Sequence, residues 1–247
     1  MSGILIYSRF EAERNAFSVA KYKEFLDISL MYEEEIDFSV PADFVINRTN
    51  DFRIAEEFEK RGVRVFNPSR LTRLANDKQK CYEFMRDNGV EILPIDWKTP
   101  PLVMKPIDGK GGKDVVLIKE GAPPKKDGYV YQKAATDLGK DLRVWLIGGK
   151  IIAAVLRESK TDFRANFCLG GSATPYTLSS EEIVLIDKIS NLLEYDYIGI
   201  DFLFNDGRII FNEIEDSVGA RMLYNLTNID IIEKYCEYVK SKINEYK

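Results

Sequence analysis

Val103-Met104-Lys105-Pro106-Ile107-Asp108-Gly109-Lys110-Gly111-Gly112-Lys113-Asp114 reads as an apolar strand running into a glycine- and lysine-rich turn. A second strand, Val115-Val116-Leu117-Ile118, follows at once. Glycine lets a backbone come close to a phosphate and present its N–H groups to it. The lysines at 105, 110 and 113 supply the opposite charge. No Gly-Lys-Ser/Thr opens a helix here, so this is not a Walker A loop. By itself the segment is more often a flexible hairpin turn than a phosphate site.

Downstream lies a set of acids. Asp201 sits inside the apolar run Ile198-Gly199-Ile200-Asp201-Phe202-Leu203-Phe204, and Glu213 and Glu215 end the run Ile209 to Glu215. The turn Asn205-Asp206-Gly207 joins the two as a hairpin. Residues two apart on a strand share a face, so Glu213 and Glu215 project together and the hairpin can set Asp201 beside them. Such a trio repels itself unless neutralised. All-oxygen ligands suit Mg2+. The alternative is a solvent-facing edge hairpin, against which the apolar neighbours of Asp201 speak. Between turn and acids, Leu142–Leu146 and Ile151–Leu156 predict a hairpin around Gly148-Gly149, with Asp141 and Arg143 at its start. Residues 159–174 are polar and glycine-rich and read as a loop containing Arg164, a fixed cation suited to phosphate or carboxylate. Loops of this length are often lids.

Upstream, the run Gly3 to Ser8 predicts a buried strand, followed by helix through about Leu30. Glu33-Glu34-Glu35 reads as a solvated face. Strands at Ala42–Asn47 and Val63–Phe66 flank a charged helix at Asp51–Lys60, and Asn67-Pro68-Ser69 opens another helix. This alternation implies a small parallel α/β unit. It has no dinucleotide fingerprint. Helices are expected at Asn76–Asn88, with Gly89 just past the end, at Ser179–Leu193 and at Asp230–Tyr246, and a strand at Tyr129–Gln132.

The 247 residues include no histidine, which excludes Ser-His-Asp triads, His-ligated metals and His general bases. Cys81, Cys168 and Cys236 are widely spaced and odd in number, against a disulfide framework or zinc cluster. A net charge of −5 disfavours general nucleic-acid binding. No apolar run nears the roughly 20 residues that span a bilayer. The N-terminus lacks the features of a signal peptide, so a cytoplasmic location is expected.

In their order and spacing, Asn76-Asp77-Lys78, Val103-Met104-Lys105-Pro106 with Gly109-Lys110-Gly111-Gly112, Asp141-Leu142-Arg143, Asp162-Phe163-Arg164-Ala165-Asn166 with Gly170-Gly171, Gly199-Ile200-Asp201 and Glu213-Ile214-Glu215 resemble the ATP-grasp superfamily. The likeness is to RimK-type glutamate ligases and, in the glycine-rich segment, to bacterial glutathione synthetase. It runs from about residue 65 to about residue 225. It implies an α/β (α+β) protein of the ATP-grasp fold, with a small N-terminal parallel α/β lobe (1–70) and two α+β lobes (71–134 and 135–247) gripping ATP. It implies that Lys78 and Lys105 contact the nucleotide phosphates, that Gly109, Gly111 and Gly112 form the phosphate lid, and that the backbone of Gln132-Lys133-Ala134 reads adenine. Asp141 then contacts nucleotide, Arg143 and Arg164 face the transferring phosphoryl group, and Asn166 touches phosphate or metal. Asp201, Glu213 and Glu215 are the implied Mg2+ ligands, with Mn2+ as a substitute.

The implied activity is an ADP-forming carboxylate–amine ligase, working through an acyl phosphate on small-molecule or peptide substrates. A small-molecule kinase and a non-catalytic nucleotide-binding module are the alternatives. Homo-oligomerisation is compatible with the resemblance. Glu215 stands where the family usually has Asn, Lys133 replaces a more usual Glu, and Asp216-Ser217-Val218-Gly219 replaces the usual Ser/Pro-containing turn, which leaves the acceptor undefined. Arg221 is a candidate for a substrate carboxylate or for a structural ion pair.

Overall fold

The computed structural model describes residues 2–165 and 171–245. Its first strand, β1 (Gly3–Tyr7), is buried at every position, as a parallel strand covered on both faces must be. It lies between β2 (Ile28–Tyr32) and β3 (Phe44–Asn47), with β4 (Arg64–Phe66) beyond β3, all parallel. The connections carry α1 (Arg9–Arg14), α2 (Ala16–Phe25) and α3 (Phe52–Lys60). The expected helix through Leu30 is therefore corrected: the chain leaves α2 at Phe25 and Ile28–Tyr32 pairs with β1. Tyr22, Leu26 and Leu30 keep an i, i+4 spacing that mimics a longer helix, and pairing to a central strand overrides it.

After α4 (Ser69–Ala75), the Asp77 side chain accepts from Lys80 N and starts α5 (Lys78–Asp87). Gly89 follows with φ 70, the left-handed conformation that ends helices. The second sheet is antiparallel, with β5 (Leu102–Pro106) between β6 (Val116–Ile118) and β7 (Tyr129–Lys133). The third has the order β10-β9-β8-β11-β12, built from β8 (Asp137–Ile147), β9 (Lys150–Glu158), β10 (Ser172–Pro175), β11 (Tyr197–Asn205) and β12 (Arg208–Glu215). Residues 159–174 are thus not all loop, because Ser172–Pro175 pairs with β9. It is an outer strand, where polar residues and a proline are tolerated. In the turn between β11 and β12, Asp206 (φ 52) and Gly207 (φ 74) are both left-handed, as a tight hairpin turn requires. A capping box at Ser179 starts α6 (Ser180–Asn191). The chain then adds α7 (Arg221–Leu226), which the sequence reading did not anticipate, and α8 (Ile231–Glu245). Among the described residues no helix is long and apolar enough to cross a membrane.

Alternation along β8 divides the interior. Leu142, Val144 and Leu146 join a core with Tyr82 of α5 and Ile186 of α6. Trp145 and Ile147 face the other way, into a core shared with Leu5, Tyr22 and Phe44 of the first sheet and with Tyr235 and Val239 of α8. The last helix is therefore packed on the first lobe. Asp141 and Arg143 lie four and two residues before Trp145, on that same face. The cavity that Arg143 lines reaches Tyr7 and Arg48 at the ends of the first sheet's strands.

Asn67, just beyond β4, ties the two parts together. Its Oδ1 accepts from the N–H groups of Asp196 (2.7 Å) and Tyr197 (2.9 Å), and its Nδ2 donates to the carbonyls of Tyr197 (2.8 Å) and Asp216 (2.9 Å). Asn67→Ala strands four buried backbone groups. It should lower the unfolding free energy by about 2–4 kcal/mol, read by urea denaturation. A loss within experimental error would mean that other contacts hold the parts together.

Candidate functional site

Lys105 is near the end of β5 and almost fully buried. Its Nζ donates to Tyr82 Oη (2.9 Å), Gln132 Oε1 (2.9 Å) and Asn212 Oδ1 (2.8 Å), all neutral acceptors. Burial pulls its pKa down to about 8, with Glu213 opposing. Lys78, in the first turn of α5, reaches two groups: its Nζ donates to Gly109 O (2.6 Å) and pairs with Glu213 Oε2 (3.2 Å). The glycine-rich turn is thereby held beside the acids. Gly111 (φ 61) and Gly112 (φ 74) take backbone shapes that a side chain would strain. From the opposite wall Arg164, braced by Asp162, donates from Nη1 to Gly112 O (2.7 Å).

One oxygen from each of Asp201, Glu213 and Glu215 lies within 4.8 Å of the others. The register explains this, since Asp201 pairs with Glu213 and Gly199 with Glu215 across the β11–β12 hairpin. Arg143, opposite Asp201 on β8, donates Nε to Asp201 Oδ1 (2.7 Å) and Nη2 to Asp201 Oδ2 (2.6 Å) and Glu215 Oε1 (2.8 Å). Arg157, opposite Asp141 on β9, donates Nη2 to Asp141 Oδ2 (2.9 Å) and Asp201 Oδ2 (2.8 Å). Burial works to raise the Asp201 carboxyl, but the two guanidinium groups outweigh it and hold it at about 2. For Asp141 burial wins over Arg157 and drives the carboxyl up to about 6. Burial likewise raises Glu215, against Arg143. Hard oxygen donors, partly neutralised by Arg143 and Lys78, form a set that fits Mg2+.

Part of this set lines a cleft of about 820 Å³ between the second and third sheets. Its apolar walls include Val103, Ala135, Leu138 and Leu203, and its polar end carries Lys78, Lys105, the three turn glycines, Arg164, Asp201 and Glu213. An apolar slot with convergent cations suits a base joined to phosphates. Gln132 and Lys133 line it as well. Ala134 does not line it: its N–H donates to Pro101 O (3.1 Å), and Ala135 takes its place on the wall. The Lys133 N–H is also occupied, by Pro94 O (2.8 Å). Arg143 and Glu215 line a second cavity of about 1630 Å³, which shares Gly111, Gly112 and Glu213 with the cleft. Asn166 lies outside the described residues.

Arg157, Tyr82 and Asn212 escaped the sequence reading. Arg157 lies one residue beyond the strand that the sequence predicts at Ile151–Leu156, and its role depends on cross-strand register with Asp141. Asn212 precedes Glu213 and so was within reach of a motif reading.

The family model for a RimK-like ATP-grasp domain matches residues 69–239. "Uncharacterized protein MG011" of Mycoplasma genitalium is 27% identical over 243 residues, covering 88% of this chain and 85% of that protein. A "Probable alpha-L-glutamate ligase" of Shewanella pealeana is 26% identical over 215 residues, covering 77% of this chain and 47% of the relative. Among solved structures, the ATP-grasp ligase PsnB with a phosphomimetic precursor variant, Mg and ADP superimposes with a TM-score of 0.72 at 15% identity, over 98% of both chains. The D-alanine–D-alanine ligase of Bacillus anthracis complexed with ATP gives 0.69 at 15% identity, over 99% of this chain and 97% of the other. At such identities the likeness is one of fold.

Proposed function

This chain belongs to the RimK-like ATP-grasp family, and from that premise we propose that it is an ATP- and Mg2+-dependent ligase joining a carboxylate to an amine, with an amino acid or peptide as one partner. The observation that carries this reading is the shared wall. Gly111, Gly112 and Glu213 border both the nucleotide-shaped cleft and the larger second cavity. A phosphoryl group at the polar end of the cleft therefore faces whatever occupies that cavity. We take residues 1–70, 71–134 and 135–247 as the three lobes, each built around one sheet.

Two steps follow. A substrate carboxylate oxygen attacks the γ-phosphorus of ATP and ADP leaves. The amine then attacks the acyl carbon of the resulting acyl phosphate, loses a proton, and inorganic phosphate departs with the C–O bond. Phosphoryl transfer asks for positioning and charge neutralisation more than for a covalent catalyst. Lys78 and Lys105 are assigned to the phosphates, and the Gly109–Gly112 backbone covers them. Arg143 and Arg164 flank the transferring group from the two cavities. Adenine is assigned to the apolar end beside Gln132, Lys133 and Ala135, and Asp141 to a nucleotide contact. Asp201, Glu213 and Glu215 would hold Mg2+, which when bound neutralises charge on the phosphates; Mn2+ should substitute.

The test is ATP turnover with Mg2+ against a panel of amino acids and short acidic peptides, with ADP and AMP resolved. Substrate-dependent ADP release with a new amide is the expected result. AMP and pyrophosphate would refute the mechanism, and a phosphorylated hydroxyl with no amide would make the protein a kinase.

Lys105 gives a pH signature. Protonated, it binds phosphate, and its charge is lost as pH rises through about 8. The kcat/KM for ATP, which reports the free enzyme, should fall about tenfold per pH unit above that point. Lys105→Met should be slow and lack this limb. An identical limb in the variant would assign it elsewhere.

A further inference from the structure

Arg48, directly after β3, is 8% exposed, yet among the described residues no carboxylate pairs with it. Its Nε donates to Tyr7 Oη (3.3 Å) and its Nη2 to Val218 O (2.6 Å), and the Tyr197 ring lies 5.3 Å from the guanidinium carbon. A guanidinium has five N–H donors, so three have no acceptor among the described residues. The nearby acid, Asp216, accepts from Asn76 instead. Keeping a cation buried is costly unless an anion meets it.

The place of Arg48 in the fold points the same way. In the order β2-β1-β3-β4, the chain turns to opposite sides of β1. The crevice beyond the carboxyl ends of β1 and β3 is a topological switch point, where open parallel sheets bind ligands. Tyr7 and Asn15, at and after the end of β1, and Arg48 and Asn50, after β3, all line the second cavity. Arg221, exposed at the start of α7, lines it too and has no ion pair among the described residues. The reacting end of that cavity is marked by Arg143 and Glu215. The switch-point end has one acid, Glu11, which pairs with Arg14 (3.2 Å), and among the described residues no acid is bonded to Arg48 or Arg221.

We propose that this end is an anion subsite in which Arg48 and Arg221 bind a second carboxylate of the carboxylate substrate, one that is not activated. The substrate is then at least a dicarboxylate, bridged between the switch point and the phosphoryl site. This rests on the ligase reading above.

The test is equilibrium binding to the full chain with Mg2+ and a non-hydrolysable ATP analogue. Linear dicarboxylates from succinate to pimelate are compared with monocarboxylates of equal length. One dicarboxylate should bind at least about tenfold tighter than its monocarboxylate, the margin expected of a charge-assisted contact. Arg48→Gln and Arg221→Gln should each remove most of that margin while the nucleotide analogue still binds. Arg221 is exposed, so its variant decides the matter if Arg48→Gln fails to fold. The proposal is overturned if no dicarboxylate outbinds its monocarboxylate in the wild type, or if the margin survives in Arg221→Gln and in folded Arg48→Gln. It is also overturned if an ω-phosphono acid of the preferred length binds tighter than the dicarboxylate, which makes the subsite one for phosphate. A dicarboxylate margin that behaves as expected, with no ADP release for any amine, would uphold the anion subsite and sink the ligase reading, so the two failures are distinguishable.

Discussion

Glu213→Gln should lower ADP release about 10²–10³-fold while leaving the fold intact, the usual effect of removing one preorganised group at a developing charge. Gln keeps the size and one acceptor oxygen of Glu but cannot serve as an anionic metal ligand. Glu213 has a further task, since its carboxylate pairs with Lys78, whose Nζ also holds Gly109 O. The substitution therefore weakens the metal set and loosens a lysine assigned to the phosphates. Affinity for nucleotide should fall much less, because Lys105 is held by Tyr82, Gln132 and Asn212 rather than by Glu213. Steady-state turnover at saturating Mg2+, beside nucleotide binding, separates the effects. Turnover within threefold of wild type would remove Glu213 from the metal set.

Arg157→Met should reduce the unfolding free energy by about 3–5 kcal/mol at pH 7, the usual result of breaking a buried ion pair from one side. Its side chain is 6% exposed, with Asp141 and Asp201 both bonded to it. Arg143 still compensates Asp201 after the change. Asp141, already raised to about 6 by burial against Arg157, is left with no counter-ion at bonding distance among the described residues. A carboxyl raised in the folded state binds its proton more tightly there than in the unfolded chain. Stability from that group accordingly falls as pH rises from about 4 through 6 and is regained on acidification. The penalty of Arg157→Met should therefore shrink between pH 7 and pH 5. Urea denaturation at the two pH values reads it. A loss under about 1 kcal/mol at pH 7, or one that grows at pH 5, contradicts the network as described.

What the chain made legible was local. The Lys105 to Asp114 turn and the Asp201–Glu215 hairpin could be read because each function-bearing residue lies within a few positions of the pattern that places it. The acids came together as the period of two required, and the turn at Asp206-Gly207 took the backbone shape those residues favour. Arg157 was hidden for the opposite reason. Nothing within ten residues announces it, and only the pairing of β8 with β9 puts it on two acids. Tyr82 is helical core by its spacing, and its hydroxyl on Lys105 is a tertiary fact. Ala134 was one position away from the cleft because its N–H serves a loop carbonyl, which no hinge motif encodes. Ile28–Tyr32 failed differently, since its helical spacing was real and lost to a stronger partner.

The packing of α8 on the first lobe sets an order of events during synthesis. Leu5, Tyr22 and Phe44 share their core with Ile232, Tyr235 and Val239, so a nascent chain that has emerged through β4 holds an apolar surface whose cover has yet to be translated. At about 5–20 residues per second, that surface waits for roughly 10–40 s. During this interval the first lobe is exposed to unwanted partners, and a holdase that recognises apolar strands would have most to do here. The ribosome thus supplies the cover of the first lobe only after the strands of the other two sheets have been made.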